Sequence, residues 1–484
     1  MEYLKLIEEY KDEMIKTLQE LISIKSVAEP ALNDSEDGFL PFGKGVHDCF
    51  KYMLAKAAAD GFDTENVDNY GGHIEFGGYF LDESGEIIGT STEIVGVLAH
   101  LDVVPEGSDW KYEPFSGQIA DGKIYGRGAS DNKGPLVAAY YAMKAIKDSG
   151  IVTVKKVRLI LGLDEETDWD GMKHYFSKEK APDLGFTPDA DFPVIHGEKG
   201  ILIFELAKKI GKTNNKGLEL RTVTGGNAAN MVADTARAVL RGDNYDLIRE
   251  IIVNYKNETG YKINVKGMGK SLEITCHGIS SHGARPEKGL NAISIMMELL
   301  GKLPIVNEDM IDFIEFYNKH IGFELDGTKI GCGISDEISG NLIFNVGKIN
   351  IDSEAGRLLI NVRYPVTANE EDIYFPIMPI LNKHNFGVIR LKNQAPIYFP
   401  EDYPMVKTLM EVYRSQTGDL ESKPVIIGGG TYARATDNIV AFGATFPGEE
   451  EVAHKKNEYM SIDSLMKAAK IYAEAIYKLS QISI

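Results

Sequence analysis

Ile94-Val-Gly-Val-Leu-Ala-His100-Leu-Asp-Val-Val-Pro105, Pro135-Leu-Val-Ala-Ala-Tyr-Tyr-Ala-Met-Lys-Ala-Ile-Lys147 and Val157-Arg-Leu-Ile-Leu-Gly-Leu163 together decide the architecture. The first and third carry short apolar runs, Ile94–Ala99 and Val157–Leu163, with the length and β-branching of strands buried on both faces. The middle stretch is long, rich in alanine and opens on a proline, which suits the first turn of a helix. Strand, helix, strand in that order predicts an α/β domain around a mostly parallel sheet.

Upstream, Leu4, Ile7, Met14, Ile15, Leu18, Leu21 and Ile22 recur at helical spacing, so one amphipathic helix is expected over 3–22 and a second over 46–60. Past residue 200 the texture changes. Leu202–Leu206, Lys262–Val265 and Leu272–His277 read as strands of a more antiparallel sheet, with helical stretches at 231–240 and 290–302 and strands at Leu342–Ile349 and Leu358–Val362. From about 400 a helix (Pro404–Gln416), a glycine loop, a strand and a closing helix at 461–479 return to the first texture. The expected layout is a catalytic α/β domain over 1–200 and 399–484, split by an inserted α+β lid domain over 201–398.

Composition narrows the function. A chain of 484 residues with 43% apolar and 26% charged residues builds sizeable globular cores. No apolar run approaches the roughly 20 residues of a membrane span. The start, Met1-Glu-Tyr-Leu-Lys-Leu-Ile-Glu-Glu-Tyr10, is no signal peptide, so a cytoplasmic location is expected. A formal net charge of −20 disfavours nucleic acid as a partner. Cys49, Cys276 and Cys332 are too few and too scattered for a disulfide framework or a structural zinc site. Metal chemistry here has to come from histidines and carboxylates.

Those residues stand where sites form. His100 and Asp102 follow the first buried strand, two apart, so they can share one side of an extended segment, the carboxylate steadying the imidazole. Gly126-Arg-Gly-Ala-Ser-Asp131-Asn-Lys-Gly134 is a glycine-rich turn into a helix that lacks the spacing of a phosphate loop. Asp131 offers two oxygens for two cations, with a helix cap as the competing reading. Asp164-Glu165-Glu166-Thr167 closes the second strand, and adjacent glutamates allow one to ligate metal while the other takes a proton from water. An exposed acidic run is the alternative there. Asp189 and Asp191 compete for a further ligand position, and His454 follows a turn at Pro447-Gly-Glu-Glu-Glu451.

As a set, His100-Leu-Asp102-Val-Val-Pro, Gly126-Arg-Gly-Ala-Ser-Asp131-Asn-Lys-Gly and Asp164-Glu-Glu-Thr167 resemble the M20 family of co-catalytic metallopeptidases and deacylases. The resemblance implies two divalent ions, zinc or manganese, held by His100 with Asp189 and by Glu166 with His454. Asp131 would bridge them, with a cis link to Asn132. Glu165 would be the general base, with Asp102 orienting His100 and influencing Glu165.

Gly225-Gly-Asn-Ala-Ala-Asn230-Met-Val, Asn361-Val-Arg363-Tyr-Pro, Gly428-Gly-Gly-Thr-Tyr-Ala-Arg434 and Ala453-His454-Lys-Lys-Asn-Glu458 narrow the resemblance to the long bacterial dipeptidase branch of PepV type. By that likeness Asn230 and His282 contact the scissile region, while Arg363 and the loop with Gly429 and Gly430 receive the free carboxylate. The implied activity is hydrolysis of dipeptides with a free N-terminus, Xaa-His or β-alanyl dipeptides among the candidates, by a monomer. The competing readings are an N-acyl amino acid deacylase, such as a succinyl-diaminopimelate desuccinylase, and a non-catalytic metal-binding relative.

Overall fold

Every residue of the strand Ile94–His100 is buried, as a strand covered on both faces requires. The computed structural model describes residues 1–211, 216–243 and 245–483. They form two compact units: one of Met1–His196, Phe399–Val425 and Thr431–Ile484, the other of Gly197–Tyr398 and Ile426–Gly430.

The first unit is built on strands β1 (Gly71–Gly77), β2 (Ile94–His100), β3 (Lys156–Gly162), β4 (Leu184–Thr187) and β5 (Ile439–Phe442), which lie side by side in the order β5-β4-β2-β3-β1. Pairing is parallel from β5 through β4 and β2 to β3. It turns antiparallel between β3 and β1, between β1 and Asp63–Val67, and between β5 and the strand beginning at Val194. The sheet is therefore mixed rather than mostly parallel. The physical reason is a tight turn at Asp68 and Asn69, both at positive φ, which joins two strands the sequence reading had not placed, and a hairpin can only be antiparallel.

Helix α1 (Lys11–Ser23), helix α2 (Lys133–Asp148) and helix α3 (Ile462–Gln481) bury apolar faces in one core that includes Leu18, Leu21, Leu136, Val137, Leu465 and Ile476. The single helix expected over 3–22 breaks at Tyr10, between Glu2–Glu9 and α1, where the phenol donates to Asp148 Oδ2 at 2.7 Å and anchors the chain. Helix α2 starts two residues before Pro135, whose missing N–H falls among the first-turn amides that lack a helical partner in any case. Its opening residue, Lys133, is fully buried and donates to the carbonyls of Leu21 and Ile24, each at 2.9 Å, so the end of α1 is tied to the start of α2.

In the second unit eight strands form one antiparallel sheet, including Gly200–Lys209, Glu219–Gly225, Thr235–Arg241, Ser271–His277, Ile343–Ile351 and Ala355–Tyr364. The helix expected over 231–240 is in fact the strand Thr235–Arg241. Ala236, Ala238 and Leu240 are buried in alternation with Arg237 and Arg241, a period of two that the run of alanines had disguised. Three further helices, Tyr245–Thr259, Glu308–His320 and Glu371–Lys383, lie outside the expected elements. No helix among the described residues is long and apolar enough to cross a membrane.

Close approach of β4 to β2 depends on Gly185 (φ +156°), where an added Cβ would sit 1.9 Å from the Gly96 carbonyl oxygen. Gly185→Ala should destabilise the protein by at least about 2 kcal/mol, the scale of overpacking a tight interior. Urea unfolding followed by circular dichroism measures it.

Candidate metal centre

Parallel pairing of β2 with β3 sets Gly162 opposite His100. The segments that follow the two strands, His100–Asp102 and Asp164–Glu166, therefore leave the sheet at the same edge, where the C-terminal ends of parallel strands gather sites. Strand β4 delivers Asp189 two residues beyond its end, and Thr187 Oγ1 donates to the Leu98 carbonyl at 2.7 Å to pin it there. Asp131 stands immediately before α2, with a cis Asp131–Asn132 peptide, and His454 sits at positive φ in the loop after β5.

His100 Nδ1 lies 3.0 Å from the Asp102 main-chain oxygen. A carbonyl only accepts, so this nitrogen carries a proton and Nε2 is the one available to a ligand. Nε2 lies 3.1 Å from Asp131 Oδ1 and 3.6 Å from Asp189 Oδ1. On the other side, His454 Nε2 lies 3.0 Å from Asp131 Oδ2 and 2.9 Å from Glu166 Oε1. Asp131 thus offers one oxygen to each imidazole. Ligand atoms of His100, Asp131 and Glu166 all fall within 4.8 Å of one another, as do those of His100, Glu165 and Asp189. Without an ion, a proton on each Nε2 bridges to these carboxylates; a cation can take that place, and a set of imidazoles and carboxylates suits a divalent metal. The residues fit the group the motifs implied. Asp191, the rival of Asp189, is exposed on a short strand paired with Thr445.

Electrostatics tell the same story. Burial disfavours a charged His100, yet the Asp189 charge and hydrogen bonds to Asp102, Asp131 and Asp189 prevail and hold the imidazole well above its usual value. Burial pushes Glu165 up to about 9, reinforced by the charges of Asp189, Glu166 and Asp102 against the pull of His100. Glu166 and Asp189 are raised as well, burial first and neighbouring carboxylates next. Hydrogen bonds to Asp131 and Glu166 lift His454 to about 10. For Asp131, burial is outweighed by hydrogen bonds from His100 and His454, which depress it. The protein has gathered more negative charge than its two imidazoles can balance.

Several side chains hold this arrangement in place. Asp102, fully buried, accepts the Glu165 N–H on Oδ1 at 3.1 Å and the Glu166 N–H on Oδ2 at 3.0 Å, while Oδ1 stays 3.4 Å from His100 Nδ1. The Trp169 indole donates to the Glu165 carbonyl at 2.6 Å, so that peptide is gripped at both ends. Asn132 donates to Asp189 Oδ1 at 3.1 Å and to the Pro188 carbonyl at 2.9 Å. Buried Glu458 accepts from the amides of Ser130 and Asp131 and from Arg127. Arg127, Asn132 and Glu458 stand inside the motifs, but their positions in the sequence assign them no role. Only one sequence signal pointed to it: an arginine in an otherwise small, glycine-rich turn, which needs a carboxylate if it is buried.

The other expected site residues belong to the second unit. Asn230 and His282 are exposed and adjacent: the Gly283 amide donates to the Asn230 carbonyl at 2.7 Å. The Ala284 amide donates to His282 Nδ1 at 3.2 Å, which leaves the proton of the neutral ring on Nε2. Arg363 is buried and donates from Nε to Asn361 Oδ1 at 3.0 Å. Its register partner Ile343 and the residue after His282–Gly283, Ala284, flank the glycine loop: a Cβ on Gly428 would meet Ala284 at 3.4 Å and Ile343 at 3.7 Å. Gly429 and Gly430 continue that loop.

A family model described as Peptidase family M20/M25/M40 matches residues 96–478. The chain belongs to this family. The resemblance read from its motifs is thereby borne out. "Putative dipeptidase YtjP" of Bacillus subtilis (strain 168) is 36% identical over 474 residues, covering 97% of this chain and 98% of that protein. A "Putative dipeptidase" of Staphylococcus epidermidis is 38% identical over 481 residues, with 97% and 98% covered. Among solved structures, human carnosine dipeptidase 1 superposes with a TM-score of 0.55 at 14% identity over 99% of this chain and 98% of that one. The di-peptidase Dug1p of Saccharomyces cerevisiae gives 0.54 at 14% identity over 100% and 99%. At such identities the two structures speak for a shared α/β fold.

The charge excess predicts how the ion-free M20 protein responds to pH. His454, raised from 6.5 to about 10, contributes stability that is full below about pH 6.5 and lost toward pH 10. Glu165, raised from 4.5 to about 9, contributes stability that is full below about pH 4.5 and lost toward pH 9. Both contributions decline between pH 6.5 and 9, so the melting temperature of chelator-treated protein should fall across that window. Added divalent ion competes with those protons and should raise the melting temperature and flatten the fall. Scanning calorimetry with and without chelator checks both; coincident, flat profiles would contradict the assignment.

Proposed function

We propose that this M20 peptidase is a cytoplasmic, monomeric, metal-dependent dipeptidase acting on dipeptides with a free N-terminus. The observation that carries the reading is the placing of His100 and His454 on opposite oxygens of Asp131, with Glu165 beside them as one carboxylate more than the ligand set requires. The dipeptidase names of full-length relatives support the substrate class.

On this reading His100 and Asp189 would hold one divalent ion and Glu166 and His454 a second, with Asp131 available to both; zinc and manganese each suit such ligands. Bound there, the ions supply Lewis acidity toward the peptide carbonyl and make water a stronger acid. Glu165, kept protonated by burial and by its acidic neighbours, ionises once positive charge offsets them. It then takes the proton of the attacking water and returns it to the departing amine. Asp102 and Trp169 keep its peptide fixed while this happens, so the carboxylate swings about a stationary backbone.

In the second unit His282, with its proton on Nε2, is a donor suited to a developing oxyanion, and Asn230 beside it suits the scissile amide. Arg363 with Gly429 and Gly430 offers a guanidinium and backbone amides for a free carboxylate. The insertion of this unit as a lid over 201–398 is part of the proposal.

Glu165→Ala should keep its divalent ions, read by metal analysis of the purified variant, and lose at least about two orders of magnitude in turnover, the scale of a general base. The assay uses an unblocked dipeptide alongside an N-acylated amino acid. Cleavage of the acylated compound alone would replace the dipeptidase assignment with a deacylase.

A further inference from the structure

Behind the metal ligands lies a buried ion pair that the reaction itself does not use. Arg127 is 2% exposed and Glu458 fully buried, with Arg127 Nη1 donating to Glu458 Oε2 at 2.6 Å. The other oxygen of Glu458 accepts two main-chain amides, Ser130 at 2.9 Å and Asp131 at 3.0 Å. The same Nη1 also donates to the main-chain oxygen of Lys455 at 3.3 Å, while Nη2 donates to that of His454 at 3.4 Å and reaches those of Pro105 and Glu106 at 3.4 and 3.5 Å. Trp110 covers it, with the ring centroid 5.2 Å from the guanidinium carbon and the indole donating to Glu106.

Three loops far apart in the chain thus meet on two side chains: the one after His100–Asp102, the one carrying Asp131 and the one carrying His454. We propose that Arg127 and Glu458 are positioning residues which set divalent-ion affinity by fixing Asp131 and His454 relative to each other. The proposal rests on the metal reading above. Desolvating an ion pair this completely costs free energy that a well-packed apolar pair would avoid, so volume alone does not explain it. What an apolar pair would not supply is a carboxylate for two convergent amides and a planar fork for carbonyls on two other loops. Asp131 is held at its amide by Glu458 while its two carboxylate oxygens reach His100 and His454. A shift of its backbone therefore moves both halves of the ligand set together.

Glu458→Gln tests this. The amide has one acceptor oxygen for a position that receives three N–H groups, so its NH2 must oppose either Arg127 or the loop amides. The readout is divalent-ion affinity, measured on metal-stripped protein by competition with a zinc-binding chromophore, with no turnover involved. The expected result is an affinity about tenfold to a hundredfold weaker, the range for partners that orient ligands. Arg127→Lys, which keeps a positive charge beside Glu458 and loses the fork, should weaken affinity in the same direction and serves if the glutamine variant does not fold. Arg158→Met provides the comparison, since it breaks the buried Arg158–Glu75 pair elsewhere in the same unit. It should lower the melting temperature and leave affinity unchanged. Unchanged affinity in Glu458→Gln or Arg127→Lys, or an equal loss in Arg158→Met, overturns the positioning role. A parent protein that takes up no divalent ion overturns the metal reading itself.

Discussion

Like charges brought together out of water repel, and five carboxylates within reach of two imidazoles at one sheet edge demand compensation. The fold provides part of it through Asp102. The carboxylate of this fully buried residue accepts the amides of both Glu165 and Glu166 while its main-chain oxygen accepts a hydrogen bond from His100 Nδ1–H. One group thereby decides which imidazole nitrogen is left for a ligand and where the two glutamates begin. The register of β2 on β3 makes that possible, because it brings the ends of two strands, 62 residues apart at His100 and Gly162, side by side. The rest of the compensation has to arrive as positive charge from outside the chain.

Divided in this way, the first unit is a rigid frame for acids that would separate if they were free to. Each ligand is fixed by something other than its fellow ligands: His100 by a carbonyl, Asp189 by Asn132, Asp131 by the hydrogen bond from its amide to Glu458, His454 by Arg127 at its main-chain oxygen, the glutamate pair by Asp102 and Trp169. Such external bracing is the physical meaning of a preorganised site, since the repulsion is met during folding and not during binding.

Much of this was legible in the sequence because the chemistry sits at strand ends. The apolar runs at 94 and 157 announced buried strands, and the acids and histidine immediately beyond them lie in the centre. What escaped was whatever local patterning misstates. The alanines at 236 and 238 imitate a helix although the chain alternates. Pro376 and Pro379 argue against a helix that tertiary packing nonetheless forms from Glu371 to Lys383. The hairpin at Asp68–Asn69 turned a parallel expectation into a mixed sheet. Arg127 and Glu458 were visible as letters, but a separation of 331 positions hides a contact that only folding reveals.

The chain has two tryptophans, and each is hydrogen-bonded through its indole beside this centre, Trp110 over Arg127 and Trp169 on the Glu165 carbonyl. Indole emission depends on the local field and on that N–H bond. The tryptophan emission of the whole 484-residue protein, excited apart from its tyrosines, is therefore a report from one small region, and unlabelled enzyme carries its own optical probe for ligand arrival there.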